Sequence, residues 1–225
     1  MRTRVNICGI TRVDDGLAAT RAGADAIGVV LWRGTPRHVD AERAAEIVRA
    51  LPPFVKVVGL FVDPTHDEVA AALARIPLDA LQFHGAEPAT FCRSFGRPYL
   101  KAIAVKPEVD LLEYAARYDD AAGLLFDAFA EGDLPGGTGI AFDWTRLSGA
   151  VREHLRRPIV LSGGLDPQNV EHAIREVRPW GVDVSSGVEE RDAEGRPRRG
   201  LKDAQRIAAF MQGVRNADGG PTGRV

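Results

Sequence analysis

Two residues of this chain have the chemistry of a proton-transfer pair, and each stands where an apolar run gives way to a loop. Cys8 closes the run 4–8 and is followed by Gly9; Asp127 closes Leu124-Leu125-Phe126. A thiol ionises near pH 8.5, so a modest lowering of its pKa makes it a base close to neutrality. It is equally a small apolar residue that packs well in a core. A carboxyl at the end of an apolar strand is desolvated, which raises its pKa and lets it hold a proton as an acid. The alternative is a carboxylate that caps the following loop. Cys92 lies in a helical stretch and reads as core.

Other residues have the chemistry of substrate binding. Arg37, after Thr35-Pro36, carries a planar fork suited to a carboxylate, or is a plain surface arginine. In Ser162-Gly163-Gly164 and Ser185-Ser186-Gly187 the small residues expose backbone N–H groups. With the start of a short helix these make a phosphate site; the plainer role is tight turning. The loop Gly136-Gly137-Thr138-Gly139 lacks the Lys-Ser/Thr pair of a triphosphate-binding loop.

These groups need a scaffold that brings loops far apart in sequence to one place. Eight short apolar runs, at 4–8, 26–31, 55–62, 80–83, 99–104, 123–127, 159–162 and 182–185, are near-continuous rather than alternating. That is the pattern of parallel strands covered on both faces. Amphipathic helical patterns separate them at 14–22, 41–50, 65–75, 108–117, 143–153 and 167–177, and one follows at 201–214. Asp166-Pro167 and Asp63-Pro64 read as helix starts with Pro at the first position. The repeat predicts an α/β fold, a single (β/α)8 TIM barrel over residues 1–214. A doubly wound sheet competes, but no GxGxxG follows the first strand. Residues 215–225 read as a disordered tail and 189–199 as an exposed loop. In such a barrel the active site lies at the C-terminal ends of the strands. There the chain places Cys8, Arg37, His84, Asp127, Gly163, Gly164, Asp183, Ser186 and Gly187, and most of its glycine clusters.

The bulk numbers agree and exclude other classes. Of 225 residues, 45% are hydrophobic and 27% charged, and net charge is −2, so no basic field drives nucleic-acid binding. Two cysteines build no disulfide framework, and five scattered histidines give no metal-ligand spacing. With no leader-like start and no apolar run near the ~20 residues of a membrane span, the chain reads as soluble and cytoplasmic.

Nine motifs then fall in the order and spacing of one enzyme family. They are Ile7-Cys8-Gly9-Ile10-Thr11, Thr35-Pro36-Arg37, Val58-Gly59-Leu60-Phe61-Val62, Leu81-Gln82-Phe83-His84-Gly85, Phe126-Asp127-Ala128, the GGTG loop with Phe142-Asp143-Trp144, Ser162-Gly163-Gly164-Leu165, residues 182–187 with Val188-Glu189, and Gly200-Leu201-Lys202-Asp203. The chain resembles phosphoribosylanthranilate isomerase over about residues 4–213.

The resemblance implies an Amadori rearrangement in tryptophan biosynthesis. N-(5-phosphoribosyl)anthranilate becomes 1-(2-carboxyphenylamino)-1-deoxyribulose 5-phosphate, without metal or organic cofactor. It gives Asp127 the role of general acid and Cys8 that of general base. Arg37 meets the anthranilate carboxylate, and the backbone near Gly163, Gly164, Ser186 and Gly187 meets the phosphate. His84 joins the substrate-binding set, and Asp183 either binds a ribose hydroxyl or orients Cys8. The family resembles both monomers and homodimers. Two departures stand out: Asn6 and Ile140 replace lysines usual in the family. They remove positive charge near the phosphate or the thiolate, but neither the acid nor the base. Related barrel isomerases of histidine biosynthesis generally carry Asp where Cys8 stands. A catalytically idle scaffold is the reading from another class, and retention of Cys8 and Asp127 opposes it.

Overall fold

The computed structural model describes residues 2–106, 108–128, 143–147 and 149–219. Eight parallel strands close on themselves in sequence order: β1 (Arg4–Cys8), β2 (Ala26–Val30), β3 (Lys56–Phe61), β4 (Ala80–Phe83), β5 (Tyr99–Val105), β6 (Gly123–Ala128), β7 (Ile159–Leu161) and β8 (Gly181–Val184). The expected (β/α)8 barrel is therefore observed, with every strand within a residue or two of its predicted span. Side-chain alternation splits each strand between two environments. Val5, Ile7, Val182 and Val184 face outward into the large core under the helices. Inside the barrel, Ala102, Leu125 and Val160 pack together in one group, and Cys8, Val30 and Leu60 in another beneath Trp32 and Val62. The interior is thus filled by side chains, not open as a pore.

Register places the polar residues. Asn6 pairs with Asp183 between β1 and β8, Cys8 with Gly28 between β1 and β2, and Ala104 with Asp127 between β5 and β6. The helices are α1 (Val13–Ala22), α2 (Ala41–Ala50), α3 (His66–Arg75), α4 (Ala89–Cys92), α5 (Leu111–Ala116), α6 (Gly149–His154), α7 (Val170–Val177) and α8 (Ala204–Asp218). Two starts differ from the sequence reading. At α3 the cap is Thr65, whose hydroxyl and Glu68 form a reciprocal capping box. Asp63 instead sits in a left-handed turn (φ 45°), with its carboxylate accepting from the Ala86 N–H. Before α7 the carboxylate of Asp166 ties down the N–H groups of Gln168 and Asn169, so regular helix begins only at Val170.

Two further expectations are corrected. Residues 189–199 are exposed over most of their length but are not a plain loop: β9 (Glu189–Arg191) and β10 (Pro197–Lys202) form an antiparallel hairpin, and Glu189 is wholly buried. The barrel also does not end at 214. Helix α8 runs on to Asp218, whose carboxylate accepts from the Thr3 N–H (2.9 Å) and hydroxyl (2.7 Å), tying the last helix to the entry of β1. The rest of the expected tail, 220–225, lies outside the described residues.

Behind β4 and β5 the wall holds a buried ion pair. Lys101 Nζ, with no exposure, meets Glu87 Oε2 at 2.8 Å and also donates to the carbonyls of Phe83 and Gly85. Glu87 Oε1 accepts from the N–H groups of Asp63 and Gly85. The pair clamps the loop that leaves β4. Removing one partner strands the other's charge in a dry interior. Glu87→Ala is expected to lower stability by about 3 to 5 kcal/mol, measured by urea unfolding; a loss below about 1 kcal/mol contradicts the clamp.

Candidate active site

All nine sequence-predicted site residues except Gly187 line one pocket at the C-terminal mouth. Counting its open mouth it encloses about 600 Å³. Cys8, 4% exposed, ends β1 on the inward face, and its Sγ lies where a Cβ on Gly28 would stand (2.9 Å). The neighbouring strand must therefore carry glycine there. Asp127 ends β6 on another side of the pocket. Its Oδ1 accepts from the Ala128 N–H at 2.8 Å, and its Oδ2 lies 3.1 Å from His84 Nε2. His84 comes off the end of β4, and its Nδ1 lies 3.2 Å from Gln82 Nε2.

Gly163 serves Asp127 as much as any ligand. With φ 79°, it sits so that a Cβ would run into the Ala128 N–H and come within 2.8 Å of Asp127 Oδ1. A side chain there would displace the carboxylate. Gly187, just behind the pocket wall, packs against the Leu165–Asp166 backbone with no room for a Cβ, so the loops after β7 and β8 are joined face to face. The short 3-10 turn Ser186–Val188 opens with the N–H groups of Ser186 and Gly187, which no residue of the turn can accept. Arg206 of α8 holds the Gly187 carbonyl through two N–H donors at 3.1 and 2.9 Å. Gly136, Thr138 and Ile140 lie outside the described residues.

Arg37 departs from the simple reading of a free fork. It is buried, and its Nε and Nη2 meet Glu189 Oε1 and Oε2 at 2.7 and 2.9 Å. The same carboxylate accepts from the Gly200 N–H and lies 3.4 Å from Lys202 Nζ. Burial pushes the Glu189 carboxyl up, but the Arg37 bonds and the Lys202 charge outweigh it and hold it below the usual range. Lys202, also fully buried, is pushed down by desolvation. Trp32, Leu60, Glu189 and Lys202, missed as site residues by the sequence reading, complete this corner: a cationic group beside an apolar wall.

The sequence also suggested a lowered thiol pKa at Cys8, and the structure reverses it. Burial first, then the charge of Asp183, push the thiol well above its ordinary value; Lys202 and Arg37 oppose them. Asp183 itself accepts from Asn6 Nδ2 at 2.5 Å and from the Ser162 hydroxyl at 3.3 Å. Burial, with the charge of Asp127, pushes its carboxyl up to about 6, against the pull of Asn6, His84 and Ser162.

Residues 5–213 match the family model described as N-(5'phosphoribosyl)anthranilate (PRA) isomerase. The chain belongs to that family. It is 53% identical over 213 residues to the N-(5'-phosphoribosyl)anthranilate isomerase of Pseudomonas aeruginosa, covering 95% of each chain. It is 52% identical to that of Alcanivorax borkumensis, covering 94% of this chain and 95% of the relative. Among solved structures it is similar to phosphoribosyl anthranilate isomerase from Thermotoga maritima, with TM-score 0.82 and 37% identity over 96% of this chain and 99% of the other. It is also similar to a phosphoribosyl anthranilate isomerase in complex with reduced 1-(o-carboxyphenylamino)-1-deoxyribulose 5-phosphate, with TM-score 0.79 and 36% identity over 96% and 99%. Asn6 supplies Asp183 with a neutral donor.

A carboxyl whose pKa rises on folding favours the native state in its protonated form. That advantage is present below about pH 4 and is lost as pH rises through about 6. Asp183→Asn is therefore expected to stabilise the fold by about 3 kcal/mol above pH 7 and by roughly half that at pH 5. Urea unfolding at pH 5 and 8 checks this, and an equal effect at both pH values contradicts it.

Proposed function

We propose that the protein isomerises N-(5-phosphoribosyl)anthranilate to 1-(2-carboxyphenylamino)-1-deoxyribulose 5-phosphate, the tryptophan-pathway reaction of its family, by acid and then base catalysis. The observation that carries the reading is the convergence of Cys8, Asp127, Arg37 and the glycine loops after β7 and β8 on one pocket. The substrate's phosphate takes the backbone N–H groups around Gly163, Gly164, Ser186 and Gly187, where small residues allow close approach. Its anthranilate ring lies along Trp32 and Leu60, with the carboxylate toward Arg37. Glu189 fixes the arginine's plane, so binding orders little that is not already ordered.

The chemistry runs in two proton transfers. Asp127 gives its proton to the ribose ring oxygen; the bond from C1 to that oxygen breaks with its electron pair going to oxygen, and the nitrogen lone pair forms a cationic Schiff base. Cys8 then takes the C2 proton, the C–H electrons form the C1–C2 double bond, and the imine electrons return to nitrogen. The resulting enolamine becomes the ketone when C1 is protonated and the C2 hydroxyl proton leaves. The raised thiol pKa fits this order. In the resting pocket the thiol keeps its proton; the positive charge created by ring opening favours the thiolate beside it, and the thiol proton passes to solvent before the C2 proton is taken. Asp183 stands by a ribose hydroxyl or orients Cys8, as the Asn6–Asp183 bond directs. No metal or organic cofactor is called for by these steps.

A positioned acid or base contributes about 10²- to 10⁴-fold. Turnover of freshly generated substrate is expected to fall by about that much in both Cys8→Ser and Asp127→Asn. Full activity in both variants would sink the assignment. Complementation of a tryptophan auxotroph, but not of a histidine auxotroph, is the matching outcome in cells.

The lower face of the barrel bears on assembly and location. A Thermotoga maritima relative is described as dimeric. Here Phe54, in the turn before β3, is 99% exposed and holds a left-handed backbone (φ 72°). Across the same face, at the entries to β7, β8 and β1, a concavity is lined by Pro158, Trp180 and Thr3. A proud aromatic and a cavity on opposite sides of one face are what a two-fold contact requires, so the chain is read as a homodimer. Among the described residues no helix is long and apolar enough to cross a membrane. The buried free thiols of Cys8 and Cys92 suit a reducing cytoplasm. Light scattering is expected to give a dimer mass for the wild type and a monomer for Phe54→Asp; a monomeric wild type overturns the dimer.

A further inference from the structure

Strand β4 and the residue just after it carry two site-facing polar residues, one turn of the pleat apart. Gln82 points inward, is completely buried, and stands two residues before His84. Together with Asp127 they form a chain of three groups: Gln82 Nε2 to His84 Nδ1 at 3.2 Å, then His84 Nε2 to Asp127 Oδ2 at 3.1 Å. The far end is fixed, because Asp127 Oδ1 accepts from the Ala128 N–H. At the near end Gln82 Oε1 is buried and has no partner among the described residues.

An amide beside an imidazole nitrogen offers a donor through its nitrogen or an acceptor through its oxygen, and the choices have opposite consequences. When Nε2 donates, His84 Nδ1 is bare, the ring proton lies on His84 Nε2, and Asp127 Oδ2 can only accept it. Asp127 is then a carboxylate with no proton to give. When the amide turns over, the unpartnered Oε1 accepts from a proton on His84 Nδ1. The NH2 group moves to the place the oxygen leaves. With the ring proton on Nδ1, His84 Nε2 and Asp127 Oδ2 can hold one further proton between them, taken up from solvent, and that proton is the one an acid catalyst needs. Among the described residues, Gln82, at 3.2 Å, is the group joined to His84 Nδ1.

We infer that Gln82 is a positioning residue for the isomerisation. By the way its amide faces, it selects the His84 tautomer and thereby decides whether the His84–Asp127 pair holds a transferable proton. The inference rests on the reading of Asp127 as the acid. It goes beyond that reading in assigning the control of the acid's proton to a side chain that does not touch the reacting atoms. Glutamine suits the task because it is neutral and can present either face, whereas an apolar side chain of similar size presents neither.

The test reads the tautomer directly. Long-range ¹⁵N–¹H spectra of the ¹⁵N-histidine-labelled protein are expected to show the proton on His84 Nε2 in the free enzyme. They are expected to show it on Nδ1 when the reduced product analogue 1-(o-carboxyphenylamino)-1-deoxyribulose 5-phosphate is bound. A ring that keeps the Nε2–H form in both states overturns the proposal, and this needs no variant. In Gln82→Met the spectra should show mixed tautomers, with kcat down about 10- to 100-fold, part of what a positioned acid contributes, and KM changed less than about threefold. Gln82→Glu, which restores an acceptor for Nδ1–H, should recover most of the lost kcat. A Gln82→Glu variant as slow as Gln82→Met, or a Gln82→Met variant with wild-type kcat, counts against the proposal. Asp127→Asn, run alongside, separates the two claims: if it keeps full activity the acid reading itself fails, and if it is inactive while Gln82→Met is not, only the role of Gln82 fails.

Discussion

One buried carboxylate joins the parts of this mouth that the chain delivers separately. Glu189 stands at the head of the β9–β10 hairpin and meets Arg37 from the loop after β2, Lys202 from the hairpin's return, and the Gly200 backbone. Without it, two cations would face each other in a dry interior, a steep penalty in low dielectric. With it, the loop after β2 and the segment after β8 are locked across the open side of β1. The lock extends outward: the Thr11 hydroxyl donates to the Gly200 carbonyl, and Arg12 reaches both Asp15 and Glu190. Glu189 never has to touch a substrate to be indispensable to the placing of Arg37.

The same network sets the electrostatic balance at Cys8. Arg37 and Lys202 pull its thiol toward ionisation, while Asp183 and Asp127 push the other way, and burial exceeds all of them. The balance leaves the thiol protonated in the resting pocket.

The barrel was legible in the sequence because each strand is an almost unbroken apolar run, and apolar runs separated by amphipathic segments admit few folds. Cys8 and Asp127 were legible because they end such runs. What escaped has a common cause. Glu189 sits in a stretch so rich in charge that it reads as solvated, and its partner Arg37 lies 152 residues away. No local pattern reports a pairing at that distance. The direction of the Cys8 shift escaped too, since a thiol's pKa depends on how deeply the neighbouring strands bury it. Gln82 stood in view inside the Leu81–Gly85 motif, but glutamine carries no intrinsic chemistry until a neighbour gives its amide something to choose. The glycines were read correctly as close-approach residues, though at Gly163 the group approached is Asp127 of the protein itself.

The interior of the barrel then shows a consistent preference for neutral partners. Asp183 is held by the amide of Asn6 and the hydroxyl of Ser162, and Asp127 by a ring nitrogen whose own partner is an amide. Both amides, Asn6 and Gln82, leave their oxygen buried and without a partner among the described residues. A lysine in place of Asn6 would form an ion pair and hold the carboxyl ionised at all working pH values. A neutral donor bonds the carboxylate while leaving protonation within reach, which is why burial can lift Asp183 to about 6. Cations are instead concentrated on the side of Arg37 and Lys202, where Glu189 neutralises them. The pocket is thereby divided into a wall of paired charges and a floor of carboxyls held by amide, hydroxyl and ring-nitrogen partners, and a reaction made of proton transfers uses both.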